Sequence, residues 1–314
     1  MLNNHKPLVS VIIPTFNRST QLEKCINSVF ESDYKNIELI ITDDNSNDDS
    51  RKKILKKYKK MKILYLYSNK KKFLSYNLNK AIKKSNGELI LKLDDDNTLN
   101  KNAISQLVYF FLKNKDLGVA GPVALYSEYP NFICHAGVTR SKIMRRAIYP
   151  YSNLNINSTL SEVNIEDFTN VFMFRRKVLH LSGLMDLSIP YMGEDSEFQA
   201  RVVKSGYMIK LCNKAFVYHN IPFKNERYFI RFDKFRLYHT MRSKIIYEMR
   251  YAKKYQKITF TLSIPIYLSY YASRIILNED KPKNKLSLFL NVIKGTWSGY
   301  IDSIKRKTNI EYLD

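Results

Sequence analysis

Three groups of carboxylates and one histidine recur in order along this chain, each placed just after a predicted strand. They are Asp43-Asp44 after IELIIT, Asp94-Asp95-Asp96 after ELILKL, Glu194-Asp195 at the head of EDSEFQARVVK, and His219 after KAFVY. A nucleotide diphosphate binds well with a divalent cation beside it, and a sugar hydroxyl attacks once a base takes its proton. Carboxylates gathered at the carboxyl edge of a sheet suit both tasks. The constellation therefore reads as an enzyme that handles a nucleotide sugar.

Each group has its own alternatives. Asp44 can accept from the ring N–H of a base, but DDNSNDD is also ordinary turn chemistry for Asp and Asn. Asp94 and Asp96 form a D-x-D pair at a strand end, one able to reach a ribose hydroxyl and the other a Mg²⁺ or Mn²⁺ ion. Three adjacent like charges need a cation or a cationic partner among them, which favours the metal over a solvated acidic turn. Glu194 and Asp195 suit the first turn of a helix through its dipole, and equally suit proton abstraction. His219 is either a structural hydrogen-bonding residue or the group that completes the coordination begun by Asp96.

The elements that must position these residues alternate regularly. LVSVIIP is a continuous apolar run, as in a strand buried on both faces, and TFNRST leads from it into an amphipathic helix carrying Leu22, Ile26, Val29 and Phe30. IELIIT, residues 63–67 and GELILKL give further strands, with a helix near residues 76–84. Later strands fall near residues 117–123 and 171–174, and a helix opened by GED ends at Gly206. This alternation implies an α/β fold, a mostly parallel central sheet with helices on both faces. In such a sheet, ligands sit beyond the carboxyl ends of the strands.

The chain has 314 residues, and its 52 Lys and Arg against 29 Asp and Glu give a net charge of +23. That charge suits phosphorylated substrates or an anionic membrane; nucleic acid is not expected, because no DNA- or RNA-binding motif accompanies it. Residues 51–72 hold eleven basic residues and no acid, and read as a solvated helix and strand. Residues 224–257 again hold eleven, now interleaved with Tyr228, Phe232, Phe235, Tyr238, Met241, Ile245 and Met249 at helical spacing. This second stretch is the one expected to meet phosphate or lipid headgroups. Residues 258–277 are long enough to span a bilayer but contain Pro265 and Arg274, which favours an interfacial or protein-packed helix. Cys25, Cys134 and Cys212 are widely spaced and odd in number, so the spacing points to neither disulfides nor a thiolate metal site, and fits a reduced cytoplasmic compartment.

The segments VSVIIPTFNR, TDDNSNDDS, LDDDN, GEDSEFQARVVKSGY and FVYHN, in this order, resemble the family 2 glycosyltransferases of the glycosyltransferase A fold over roughly the first 220 residues. The resemblance implies a catalytic domain over residues 1–222 and a basic, aromatic, helical region over 223–314 that associates with a membrane surface. It implies an inverting, non-processive transfer of one sugar from a nucleotide-diphosphate donor to a hydroxyl on a lipid-linked or cell-surface saccharide, at the inner face of the plasma membrane. Matched by position, Pro14, Thr15, Asn17 and Arg18 border the nucleotide and Asp44 reads the base. Asp94 and Asp95 join the nucleotide-sugar contacts, Asp96 and His219 hold Mg²⁺ or Mn²⁺, and Asp195 is the general base with Glu194 positioning it.

Arg175 and Arg176, in FTNVFMFRR, resemble an acceptor-side wall that would meet an anionic group, although a solvated strand end accounts for them equally. Asn45 stands where the family often has Gly, and Asn tolerates the left-handed backbone such a turn needs. The Gln-x-x-Arg-Trp signature of processive synthases is absent. Trp297, in KGTWSGY, is similar to a terminal amphipathic segment of relatives acting on lipid-linked saccharides, and also reads as simple helix packing. Two other classes remain: an inactive saccharide-binding scaffold, and a sugar nucleotidyltransferase, whose glycine-rich loop after the first strand is missing here.

Overall fold

A computed structural model describes residues 6–158, 160, 163–223, 233–277 and 284–313. The N-terminal part alternates strand and helix: β1 Val9–Thr15, α1 Ser19–Phe30, β2 Ile37–Asp43, α2 Ser50–Lys57, β3 Ile63–Tyr67, α3 Phe73–Lys84 and β4 Leu89–Leu93. The short strand β5 Asn97–Leu99 and α4 Ala103–Lys113 follow, then β6 Leu117–Tyr126 and three short strands, β7 Ile133–His135, β8 Thr139–Arg140 and β9 Ala147–Ile148. The antiparallel β10 Val171–Arg175 precedes a 3-10 turn and the one-turn α5 Leu179–Ser182. α6 Glu194–Lys204 and the long β11 Met208–His219 complete the α/β part. Among the described residues after β11 are α7 Lys234–Tyr251, α8 Lys254–Leu262, α9 Ile264–Ile276 and α10 Lys285–Ile304.

The main sheet runs β3-β2-β1-β4-β10-β6-β11-β5, with β7 added beside β6, and is parallel except at β10, β5 and β7. Residues of alternate parity fill the two faces. Val9, Val11, Ile13, Leu39, Ile41, Leu89 and Leu91 enter one core with α1 and α4. Ile12, Ile40 and Ile90 enter the other, with Leu78 of α3 and Phe198 of α6. Two buried faces explain why these strands are continuous apolar runs rather than alternating ones.

Chain order places the crevice. From β1 the chain moves outward to β2 and β3, then returns to the other side of β1 as β4. β1 pairs with β4 only through Val9–Ile12, whereas its pairing with β2 continues to Thr15. The carboxyl ends of β1 and β4 therefore part, making the topological switch point at which open α/β sheets bind ligands.

The C-terminal helices pack onto the element that carries Glu194 and Asp195. Arg250 of α7 pairs with Asp186 at 2.7 Å and Glu197 at 3.1 Å, and Arg242 pairs with Asp302 of α10 at 2.6 Å. α7 and α10 approach closely at Gly295, where an added Cβ would lie 2.2 Å from the Tyr238 carbonyl. Met241 and Ile245, expected on a lipid-facing stripe, are instead buried against Leu288 and Val292. Tyr228 and Phe232, expected on the same stripe, lie outside the described residues. Residues 258–277 form two helices, not one: α8 ends at Leu262, and Pro265 sits in the first turn of α9. Proline suits that position because it has no N–H to donate there. Among the described residues, no helix is long and apolar enough to cross a membrane.

Candidate active site

Thr15 ends β1, and its hydroxyl donates to Asp95 Oδ2 at 2.7 Å. Pro14 precedes it, paired only with Thr42 on the β2 side. Asn17 adopts φ 54° in the following turn, and its side-chain carbonyl accepts from Asn47 N at 2.9 Å, tying this turn to the acidic one after β2. Arg18 Nη1 lies 2.9 Å from both Asp95 and Asp96. The cationic partners required by three adjacent carboxylates are thus supplied within the chain, by Arg18 and by Lys92, whose Nζ is 2.9 Å from Asp94.

Lys92 is the residue that the sequence reading overlooked. It lies on β4 in register with Ile90, so its side chain enters the face occupied by Phe172 and Phe198 and reaches α6. Its Nζ donates to Asp195 Oδ2 at 2.8 Å while the residue remains 1% exposed. Burial works against its charge, but Asp195 and Asp94 outweigh burial and raise its pKa. A lysine inside LILKL was the available signal, because a charge in a strand buried on both faces must have a partner.

Asp195 sits in the first turn of α6, reached through Met192 at φ 62° and Gly193 at φ 107°. Gln199 fixes this end of the helix by donating to the Phe168 and Asp195 carbonyls and accepting from Phe168 N. Oδ1 of Asp195 and Oε2 of Glu194 are buried with no hydrogen-bond partner. Burial, and then the Asp195 charge, push the Glu194 carboxyl well above the usual range. Burial likewise raises Asp94, and brings Asp95 to about 6.

Asp96 behaves differently. Burial opposes its charge, but His219 and Arg18 outweigh it and hold the carboxyl below its usual range. His219 ends β11, where it pairs with Asn97 of β5, and its Nε2 faces Asp96 Oδ1 at 3.6 Å. A carboxylate oxygen from the β4–β5 turn and an imidazole nitrogen from the end of β11 converge here; the carboxylate is the hard donor that Mg²⁺ or Mn²⁺ takes, and the imidazole could complete the coordination. On the far side of the ring, Nδ1 lies 3.7 Å from Cys134 Sγ. Burial raises that thiol to about 12 and lowers the imidazole of neighbouring His135 to about 3.

Asp44 borders the crevice at the β2 end. Its carboxylate accepts from Lys72 N at 2.6 Å, Phe73 N at 3.1 Å and Asn77 Nδ2 at 2.7 Å, and so anchors the start of α3. Asn45, at φ 68°, takes the left-handed conformation its side chain permits. Phe16 is 39% exposed, with the Lys71 ammonium 4.2 Å from its ring centre.

Arg175 and Arg176 do not join the site. β10 runs antiparallel to β4, so Arg175 pairs with Leu89 at the opposite edge of the sheet. Its guanidinium donates to the Phe111, Asn114 and Leu117 carbonyls, and Arg176 donates to the Gly87 carbonyl at 2.7 Å and Ser85 Oγ at 2.5 Å. Both arginines bind loop and helix-end carbonyls, which corrects the expected acceptor-side placement.

The sequence profile described as Glycosyl transferase family 2 matches residues 10–181, more than half of the chain. The chain belongs to glycosyltransferase family 2. Among curated relatives, a GalNAc(5)-diNAcBac-PP-undecaprenol beta-1,3-glucosyltransferase of Campylobacter jejuni is 39% identical over 104 residues, covering 32% of this chain and 34% of the relative. The UDP-Glc:alpha-D-GlcNAc-diphosphoundecaprenol beta-1,3-glucosyltransferase WfaP of Escherichia coli is 25% identical over 215 residues, covering 68% of this chain and 77% of the relative. Among solved structures, the mannosyltransferase PcManGT of Pyrobaculum calidifontis, in complex with GDP-Man and Mn²⁺, superposes with a TM-score of 0.58 at 12% identity, covering 97% of this chain and 89% of that one. The fold of this family 2 member is the glycosyltransferase A fold, followed by a helical C-terminal region.

Proposed function

We propose that this family 2 member transfers a single glycosyl group from a nucleotide-diphosphate sugar to a hydroxyl of a lipid-linked saccharide, with inversion at the anomeric carbon. The observation that carries this reading is the Asp195 carboxylate: Oδ2 is held by Lys92 at 2.8 Å while Oδ1 is buried without a partner. A carboxylate fixed through one oxygen presents the other, in a defined direction, to a proton donor. Undecaprenol-linked acceptors in the names of the Campylobacter jejuni and Escherichia coli relatives support the acceptor class.

In this reading the diphosphate lies across the parted ends of β1 and β4, bordered by Thr15, Asn17, Arg18, Asp94 and Asp95, with the base toward Asp44. Asp96 and His219 would hold a Mg²⁺ or Mn²⁺ ion, whose charge offsets that of the leaving nucleotide diphosphate. Arg18 supplies a second positive charge from the protein. Asp195 accepts the proton of the acceptor hydroxyl as that oxygen attacks the anomeric carbon on the face opposite the leaving group. Glu194, its pKa raised first by burial and then by the Asp195 charge, stands beside the base as a carboxyl that holds its proton.

The division into a catalytic part, residues 1–222, and a membrane-facing part, residues 223–314, belongs to the same proposal. Its support is the apolar exposure of the last helices: Leu262 is 74%, Trp297 69% and Ile304 81% exposed, on helices that also carry Lys257, Lys285 and Lys294. The deciding experiment incubates Asp195→Asn and wild-type protein with UDP-, GDP- and dTDP-sugars, Mn²⁺ and a polyprenyl-diphosphate saccharide. The variant is expected to retain donor binding and lose transfer by at least about 100-fold. Transfer at the wild-type rate would remove Asp195 from the role of base.

A further inference from the structure

Cys134 and His135 are consecutive residues of β7, and consecutive strand residues ordinarily point to opposite faces. Here the register breaks: Ala124 of β6 opposes His135 and Leu125 opposes Ile133, so Cys134 is the extra residue of a β-bulge. A bulge re-aims a side chain. One ligand atom from each of Cys134, His135 and His219 lies within 4.8 Å of the other two, and all three residues are buried. His135 is 7% exposed and its Nε2 has no hydrogen-bond partner.

We propose that Cys134, His135 and His219 Nδ1 form a binding site for Zn²⁺ or a similar thiophilic divalent ion, which shares the His219 ring with the site at Asp96 but uses its other nitrogen. A sulfur and two imidazole nitrogens select zinc over magnesium or manganese. Zinc with bonds of about 2.0–2.3 Å places neighbouring tetrahedral ligand atoms roughly 3.3–3.7 Å apart. The separation of 3.7 Å between Cys134 Sγ and His219 Nδ1 already meets that requirement. His219 Nε2 then donates to Asp96 Oδ1, now 3.6 Å away, as zinc-bound imidazoles do toward a carboxylate behind them. Asp96 provides the way in, since its side chain is 23% exposed whereas the three ligands are nearly closed off.

A consequence follows that rests on the proposed role of His219 at the Mg²⁺ or Mn²⁺ site. With Nδ1 on zinc, Nε2 carries the proton and has no lone pair for the second ion, so zinc and manganese compete through one imidazole.

The test uses the full chain without donor. Zn²⁺ binding is measured by competition with a chromophoric chelator, and Co²⁺ substitution is followed by thiolate-to-metal charge-transfer absorption. One ion per chain is expected, with affinity at least 100-fold weaker in both Cys134→Ser and His135→Gln, and the charge-transfer band lost in Cys134→Ser. Circular dichroism confirms that each variant is folded. Zinc binding that is absent from the wild type, or unchanged in both variants, overturns the site. Free Mn²⁺ is followed by electron paramagnetic resonance as Zn²⁺ is added. Release of bound Mn²⁺ supports the competition, whereas its retention beside Cys134-bound zinc overturns the competition and the role of His219 toward Mn²⁺, leaving the zinc site standing.

Discussion

Lys92→Met isolates the electrostatic core of the proposed mechanism. The ammonium is 1% exposed and lies 2.8 Å from Asp195 and 2.9 Å from Asp94, with the Phe172 ring centre 5.8 Å away. Methionine keeps the apolar stem and removes the charge, leaving buried carboxylates without their shared cation. Deleting one partner of a buried pair costs about 3–5 kcal/mol, since the remaining charge has lost its compensation. Urea unfolding at neutral pH should show a loss of that size. The charge-assisted hydrogen bond to Asp195 is worth about 1.5–3 kcal/mol, so kcat/KM of folded Lys92→Met should fall by about 10–150-fold. A Lys92→Met, Asp195→Asn double-mutant cycle should give a coupling energy of about 1.5–3 kcal/mol. An unchanged urea midpoint, or an unchanged kcat/KM in folded Lys92→Met, would refute the idea that Lys92 holds the base in place.

Three further outcomes are expected. Asp96→Ala should weaken Mn²⁺ binding, read by calorimetry, by at least about 10-fold while leaving the fold intact, because a hard oxygen ligand is lost. His239 is held at about 4 against an ordinary 6.5, first by burial and then by Arg242, so it contributes stability above its ordinary range that is lost as pH falls through about 4. The stability advantage of wild type over His239→Phe should accordingly shrink by up to about 3 kcal/mol between about pH 7 and pH 4, measured by urea unfolding. Wild-type protein should float with anionic vesicles and lose most of that binding in high salt. Leu262→Ser with Trp297→Ser should weaken the low-salt binding, and equal flotation with neutral vesicles at high salt would exclude an electrostatic contribution.

The sequence by itself determined β1, β2 and β4 and the helices between them, because strands buried on both faces must be written as unbroken apolar runs. It also determined the tolerance of the acidic turn for Asn45, whose observed φ of 68° is a local property of the residue. Pro265 was legible as an obstacle to a long helix, and it stands in the first turn of α9 where two shorter helices meet. These are short-range facts, governed by backbone sterics and by the period of burial.

What only the tertiary structure decided depends on which strands become neighbours and in which direction they run. Arg175 and Arg176 looked available for an acceptor, and the antiparallel direction of β10 carried them to the opposite edge of the sheet. The stripe of Met241 and Ile245 had the spacing of a surface helix, but α10 covers it. Lys92 and Asp195 are 103 residues apart and meet because β4 and α6 share one face of the sheet. Cys134 and His219 are 85 residues apart, and a single extra residue in β7 turned the thiol toward the imidazole. Residue spacing cannot encode such meetings, since strand order, strand direction and a one-residue register shift are settled by packing of the whole sheet.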